Sequence, residues 1–542
     1  MRWPKRWSVL LAVCLMAPGA GVYAQSDKPA NNGAGAGPSS KAATEEEVEQ
    51  LRREVAELKA TIQKLVEVNQ QKGADGAKLV EASAPISSSA DSAGPATANA
   101  DPGAGATVAD VDALQKEIEV LQKKAGDTPP ATSGWNGEHF YLKSSDGNFT
   151  LMPVGYLNAN YIFYKGDGAP SDTFTISRAR FGVQGNYGKQ LDYSFLFETA
   201  SSLTIRDAYL DFKPWGAFKI MGGQYKVPFS QEVSTGDTNV EFNDRSINTV
   251  LYPDAAGGFR APGFDVHGDL IGGKLQYWTG IFNGKGLITN NTTNEPEVTG
   301  RIRIYPFKDS DNEMLKGFAI GGGAEHSRSR GLSNELSFSG VLNDGAYTFF
   351  PQFLINGGIS RYNGHFQWLY KAWGVRGEYT QILEKRDNLG SLVASGVGFN
   401  TLPGVQGKGA YGMVTYNLTG EREPENAIPR VKHPVIGPNS PGETGGPGWG
   451  AWQLKFRYSW LEGRAPGATC DATTIPACPI TPGIVPKFAD HTDQFAAGFN
   501  WYLNYWVLLK SEVHFDRLAN PSVQGINPQN YYVVLEGIQF RF

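Results

Sequence analysis

From about residue 135 onward, polar and apolar positions alternate in short runs separated by turns. In "FTISRARFGVQG", residues 174–185, one face carries Ala179, Phe181 and Val183 and the other carries Arg178, Arg180 and Gln184. A period of two is the signature of a β-strand with one apolar face. Sixteen such runs can be counted: 152–164, 174–187, 191–201, 203–213, 217–226, 262–270, 273–283 and 297–306 in the first half. The second half holds 317–328, 361–370, 372–383, 408–418, 451–461, 493–503, 506–516 and 531–542. Short gaps such as "GK", "PWG", "YKA" and "NY" alternate with long ones at 227–261, 329–360, 384–407 and 462–492. Tight turns at one rim and long loops at the other predict an all-β, sixteen-stranded antiparallel transmembrane β-barrel. Residues 419–450 break the rule, being long and Pro/Gly-rich where a tight turn is expected. Either that turn is elaborate or the count is off by a strand pair.

The cost of misplacing a charge sorts the two faces. An arginine facing lipid at the midplane of a barrel costs roughly 2–4 kcal/mol, so the arginine parity is the lumen. On that parity lie Arg178, Arg180, Arg301, Arg303, Arg361, Arg376, Lys455, Arg457, Lys510 and Arg541, with Glu198, Asp207, Asp211, Glu325, Glu378 and Glu512. Tyr193, Phe195 and Phe197 face outward, as do Ile302 and Ile304 and the series Trp452, Leu454, Phe456, Tyr458 and Trp460. An aromatic girdle accounts for that series. Glu536 falls on the lipid parity, which calls for a register shift there.

Residues 1–134 have a different texture. Arg2, Lys5 and Arg6 precede an apolar run, and "VYA" at 22–24 offers a cleavage site, so residues 1–24 read as a secretory signal peptide. The competing reading is a lipoprotein signal with Cys14 lipidated. A low-complexity linker covers 25–44. In 45–71, Val48, Leu51, Val55, Leu58, Ile62 and Leu65 form a heptad seam, the mark of a coiled coil. A disordered linker spans 72–107, and a shorter helical seam follows in 108–125. The seams form either an oligomerising stalk or amphipathic helices packed on their own protein. An even strand count puts both barrel ends, and hence the coiled coil, in the periplasm. Cys470 and Cys478, close together in a Pro/Thr-rich loop of an exported chain, predict a disulfide; metal binding is the poorer reading.

Net charge is −5, which gives no case for nucleic acid. Beyond the N-terminus no apolar run approaches the roughly 18 residues of a membrane helix. Residues 1–134 carry 14 Lys+Arg and 17 Asp+Glu, which leaves 35 and 37 of the 49 and 54 for the rest. Any anion preference must therefore come from placement, not from net charge. Rings of Arg or Lys are how pores favour phosphate and other anions.

The ordered series "SSDGNFTLMPVGYLNANY", "ISRARFGVQG", "IRDAYLDF", "GGQYKVPFSQE", "FNDRS", "IFNGKG", "VRGEYTQ", "NLTGERE", "GAWQLKFRYS", "GFNWYLN" and the terminal "FRF" resembles the phosphate-selective porin O and P family over roughly 135–542. The resemblance implies a sixteen-stranded barrel in the outer membrane of a Gram-negative cell, a homotrimer, a third loop folded into the pore, and basic residues guiding phosphate, polyphosphate or other small anions. Its terminal aromatic resembles the signal read by the barrel-assembly machinery. Arg178 and Arg180 match the family's basic second strand; they form either part of the anion path or ion pairs with Glu198 and Asp207 that hold the wall. Asp207 matches the "DAY" motif. The third loop departs from the family: it has no lysine and carries Glu241, Asp244 and other acids against Arg245 and Arg260. A broader anion or small-solute pore is thus the alternative to phosphate selection. A structural envelope tether with a plugged barrel is a second alternative. An enzyme is disfavoured: His514 stands with Glu512 and Asp516, but no serine accompanies them, and no cofactor is implied.

Overall fold

The computed structural model describes residues 131–542 apart from 167–168, 285, 292, 334–337, 340–347, 350–353, 390–400, 466–490 and 520–528, together with residue 116. The expected signal peptide, linkers and coiled-coil seams, and the Cys470–Cys478 pair, lie outside the described residues.

Sixteen antiparallel strands form the barrel wall. They are β1 (Phe149–Lys165), β2 (Thr173–Tyr187), β3 (Leu191–Glu198), β4 (Thr204–Trp215), β5 (Phe218–Lys226), β6 (Arg260–Leu270), β7 (Leu275–Phe282) and β8 (Glu297–Ile304). The wall continues with β9 (Phe318–Ser333), β10 (Leu354–Tyr370), β11 (Trp373–Arg386), β12 (Leu402–Asn417), β13 (Ala451–Arg464), β14 (His491–Tyr502), β15 (Val507–Ala519) and β16 (Gln529–Arg541). Each pairs with its successor, and β16 returns to β1 from Tyr532↔Lys165 to Arg541↔Tyr156, so the sheet closes. Closure removes the unpaired edges that a membrane does not tolerate. A small hairpin, Thr132–Trp135 with Phe140–Lys143, precedes the barrel and pairs with the start of β1. The alternation had not marked it.

All sixteen expected runs are strands. Because β12 pairs directly with β13, the strand count stands and residues 418–450 are an elaborate turn. Ile428 and Val431 of that segment are buried against Ala451, Tyr502 and Leu508.

The faces sort as charge cost requires. Leu454 and Phe456 are exposed on the outer face while Gln453, Lys455 and Arg457 are buried inside. Glu536 does not shift register: it stays on the outer face, where Ser511 Oγ donates to its Oε1 at 2.7 Å from the paired position on β15. Strand β2 hides a bulge. Asn158 pairs with Arg178 but Ala159 pairs with Ile176, so Ser177 is the extra residue. Phe174 and Ile176 before it and Phe181 after it all face outward, which strict alternation forbids. The bulge is what turns Arg178 and Arg180 inward on a strand whose other half has the opposite parity.

Residues 227–259, the third long loop, fold into the barrel. Phe229, Val233, Ile247, Leu251 and Tyr252 meet Ile355, Ile359, Ile382, Val405, Leu461 and Leu518 of the wall in one buried apolar cluster. Burying each large apolar side chain contributes roughly 1.5–3 kcal/mol, which holds the loop against the wall. The approach is close: a Cβ on Gly323 of β9 would lie 2.1 Å from the Phe229 carbonyl oxygen, so only glycine fits there.

Candidate functional site: the lumen beside the third loop

The third loop divides the lumen-facing cations into two sets. One set surrounds Asp237 on the loop. Its carboxylate accepts from Arg180 Nη1 at 2.5 Å, Lys226 Nζ at 2.8 Å and Arg245 Nη2 at 2.5 Å, with Arg260 Nη2 at 3.4 Å. Arg180 also holds Glu198 at 2.6 Å, and Arg260 holds Asp207 at 2.8 Å. Four cations thus share three carboxylates. Burial pushes the Asp237 carboxyl upward, but Lys226, Arg260, Arg245 and Arg180 overrule it and hold the group well below the usual aspartate range. Gly258, with φ of +66°, ends the loop against the Arg206 guanidinium, and it and the following Phe259, with φ of +67°, turn the chain into β6 beside the hub through left-handed conformations.

The second set lies on the opposite wall and grips the loop backbone. Lys455 Nζ donates to the Glu241 carbonyl at 3.0 Å and pairs with Glu512 at 2.7 Å. Arg457 Nη1 donates to the Asp244 carbonyl at 2.9 Å, and Lys510 Nζ to the Val240 carbonyl at 2.8 Å. The ring of Phe242 sits between Lys455 and Arg457, whose charges lie 4.7 and 4.4 Å from its centroid. Arg376 pairs with Glu241 at 2.7 Å and with Glu423 of the long turn at 3.1 Å.

The remaining sequence-derived residues are distributed as follows. Arg178 donates to the Asn243 carbonyl at 3.0 Å and lies 3.7 Å from Asp244. Arg301 donates to Ser234 Oγ at 2.7 Å and stacks over Trp278, Arg303 pairs with Glu425 at 2.6 Å, and Arg361 pairs with Glu325 at 2.5 Å. The structure therefore brings Arg180, Asp207, Arg245 and Arg260 together beside Asp237, while Arg178 reaches the loop at Asn243 and Asp244, next to the stretch that Lys455 and Arg457 hold. Arg376, Lys455 and Arg457 stand on the opposite wall, beside Glu241. Arg361 is locked into a buried pair between β9 and β10. Lys226, inside "GGQYKVPFSQE", and Asp237, among the other acids of the third loop, are site residues that the strand pattern does not single out. Asp237 carries no strand parity to flag it, and its partners Arg180 and Arg260 lie on two different wall strands.

Among the described residues, Arg301, Arg457, Lys510 and Arg541 are held by neutral oxygen acceptors and not by carboxylates. Beside the Asp237 hub lies a cavity of about 750 Å³, bordered by Tyr156, Arg180, Asp207, Lys226, Asp237 and Arg260.

Residues 155–516 match the family model described as phosphate-selective porin O and P. The barrel is similar to an anion-selective porin from Comamonas acidovorans, at 13% identity and a TM-score of 0.44, covering 72% of this chain and 99% of that one. It is similar also to the outer membrane protein OmpT of Vibrio cholerae, at 12% identity and a TM-score of 0.45, covering 73% and 98%. The outer membrane channel DcaP of Acinetobacter baumannii gives 12% identity and a TM-score of 0.44 over 74% and 99%. No curated protein matches the chain.

Proposed function

The chain belongs to the phosphate-selective porin O and P family, and from that premise we propose that it passes small anions by diffusion across the outer membrane. One observation carries the reading. The lumen-facing cations Arg301, Arg457, Lys510 and Arg541 are hydrogen-bonded to neutral oxygens and not to carboxylates, which sets basic groups along a low-dielectric wall. Such a wall focuses the field and raises the local anion concentration. Phosphate is the expected physiological anion by family, but the third loop offers no lysine, and its Arg245 and the Arg260 that follows it are engaged by Asp237 and Asp207. That favours broad passage of small anions over tight capture of phosphate. The working unit is a homotrimer embedded in outer-membrane lipid, with the N-terminal segment in the periplasm.

The test is the reversal potential of single channels in a planar bilayer under a KCl gradient, with phosphate then titrated in. A chloride preference with weak block by phosphate is expected. A near-zero or cation-leaning potential would mean that the acidic residues of the third loop govern permeation, and the reading would fail.

A further inference from the structure

Resting on the channel reading, we propose that the 750 Å³ cavity is a subsite for monovalent organic carboxylates with a planar, apolar body, such as aromatic acids. The argument starts from a row of paired residues. Arg541 on β16, Tyr156 on β1, Arg180 on β2 and Glu198 on β3 lie directly opposite one another in register. Arg180 is spent on Glu198 and Asp237. Arg541 is not spent: its Nε donates to the Tyr505 carbonyl at 3.0 Å and its Nη1 to Asn239 at 3.1 Å, while Nη2 has no partner among the described residues. The adjacent Tyr156 hydroxyl is likewise buried without a partner, in a residue only 7% exposed. Two idle donors on neighbouring wall positions therefore border one cavity.

The rest of the lining decides the class of ligand. The Arg541 guanidinium stacks 4.1 Å from the centroid of Tyr505. Trp506, Tyr209, Tyr225 and Trp278 present further rings to the same space. Ring faces give nothing to a compact, multiply charged inorganic anion but favour a flat apolar one. The charge count agrees. Arg180, Lys226 and Arg260 already answer to Asp237, Glu198 and Asp207, and Glu138 and Asp265 also line the cavity, so the lining has room for no more than a single negative charge, at the one guanidinium edge without a hydrogen-bond partner. A carboxylate with one oxygen on Arg541 Nη2 and the other on Tyr156 Oη satisfies both donors, and its ring lies among the aromatic walls.

The experiment uses the full chain in planar bilayers and reads the loss of chloride current on adding benzoate, acetate or inorganic phosphate. Benzoate is expected to half-block at a concentration about tenfold below that of acetate, and below that of phosphate, because burial of its ring adds to the same headgroup contact. Tyr156→Phe, which keeps the ring, is expected to raise the benzoate half-block concentration about tenfold, the worth of one hydrogen bond to a charged group. Arg541→Lys is expected to weaken it less than Arg541→Gln. Each variant's heat-dependent shift in electrophoretic mobility shows that its barrel has folded. If benzoate proves no better than acetate, or Tyr156→Phe leaves its block unchanged, while chloride preference persists, this inference falls alone. A cation-leaning reversal potential overturns the channel reading and this inference with it.

Discussion

At the scale of single residues, Asp237 has the largest consequence. It holds four cations from four places in the chain: β2, the end of β5, the start of β6 and its own loop. Asp237→Asn leaves those cations partly unanswered in a buried site. Breaking a buried pair by removing one partner costs about 3–5 kcal/mol, so the loop should loosen while the wall persists. The expected outcome is a stronger chloride preference in the reversal potential, with more current noise, in a barrel that still shows heat-modifiable mobility. Unchanged selectivity would show that the hub's charge is not seen by permeating ions. The same residue sets a pH expectation. A carboxylate whose folded pKa is depressed contributes stability above its unfolded pKa and loses it only as pH falls through the folded value. Asp237 should therefore stay charged from about pH 7 down to about pH 5, so the change in reversal potential produced by Asp237→Asn should be as large at pH 5 as at pH 7.

At the scale of elements, the wall was legible and its interior contacts were not. Period-two alternation and the cost of a lipid-facing arginine act locally, so all sixteen strands and the inward parity of Arg301, Arg376, Lys455 and Arg457 could be read from neighbours in sequence. What those cations touch is set by residues far away in sequence, as Lys455 with the Glu241 carbonyl and Arg301 with Ser234 show. One trace of the loop's docking was present: Ile382, Val405, Leu461 and Leu518 are apolar on the lumen parity, and they are the wall's share of the buried cluster. The Ser177 bulge left a trace as well, because Phe174 and Ile176 share the numerical parity of Arg178 and Arg180 yet face outward. Deleting Ser177 would restore strict alternation and force either the arginines or those apolar residues to the wrong face. At roughly 2–4 kcal/mol for each arginine placed in lipid, the deletion should abolish the heat-modifiable form. Ser177→Ala, which keeps the extra residue, should retain it. A folded deletion variant would show that the bulge is dispensable.

At the scale of the molecule, the third loop and the long turn 418–450 work as one constriction built from opposite rims. Asn426 of the turn accepts from the Gly236 amide at 2.7 Å and receives a bond from Asn239 Nδ2 at 2.7 Å, so the two segments meet inside the barrel. The turn also delivers charge. Glu425 takes Arg303 at 2.6 Å and the Tyr305 hydroxyl at 2.6 Å, and Glu423 takes Arg376, Thr415, Asn417 and Gln453. This explains why a Pro/Gly-rich stretch is long where its neighbours are tight: it supplies carboxylates to wall arginines and a brace to the loop. Replacing 424–448 with a two-residue Asn-Gly turn keeps Glu423 on Arg376 but removes Glu425 and the Asn426 contact. Residues 418–423, Asn-Gly and 449–452 then join the paired Asn417 and Gln453, a connection long enough to leave the β12–β13 pairing in place, so the barrel should close. Single-channel conductance should rise because the brace on the loop is gone. Chloride preference should rise as well, because Arg303 loses its carboxylate. If conductance stays the same while the turn is absent, the third loop sets the constriction alone and the long turn is only a rim ornament.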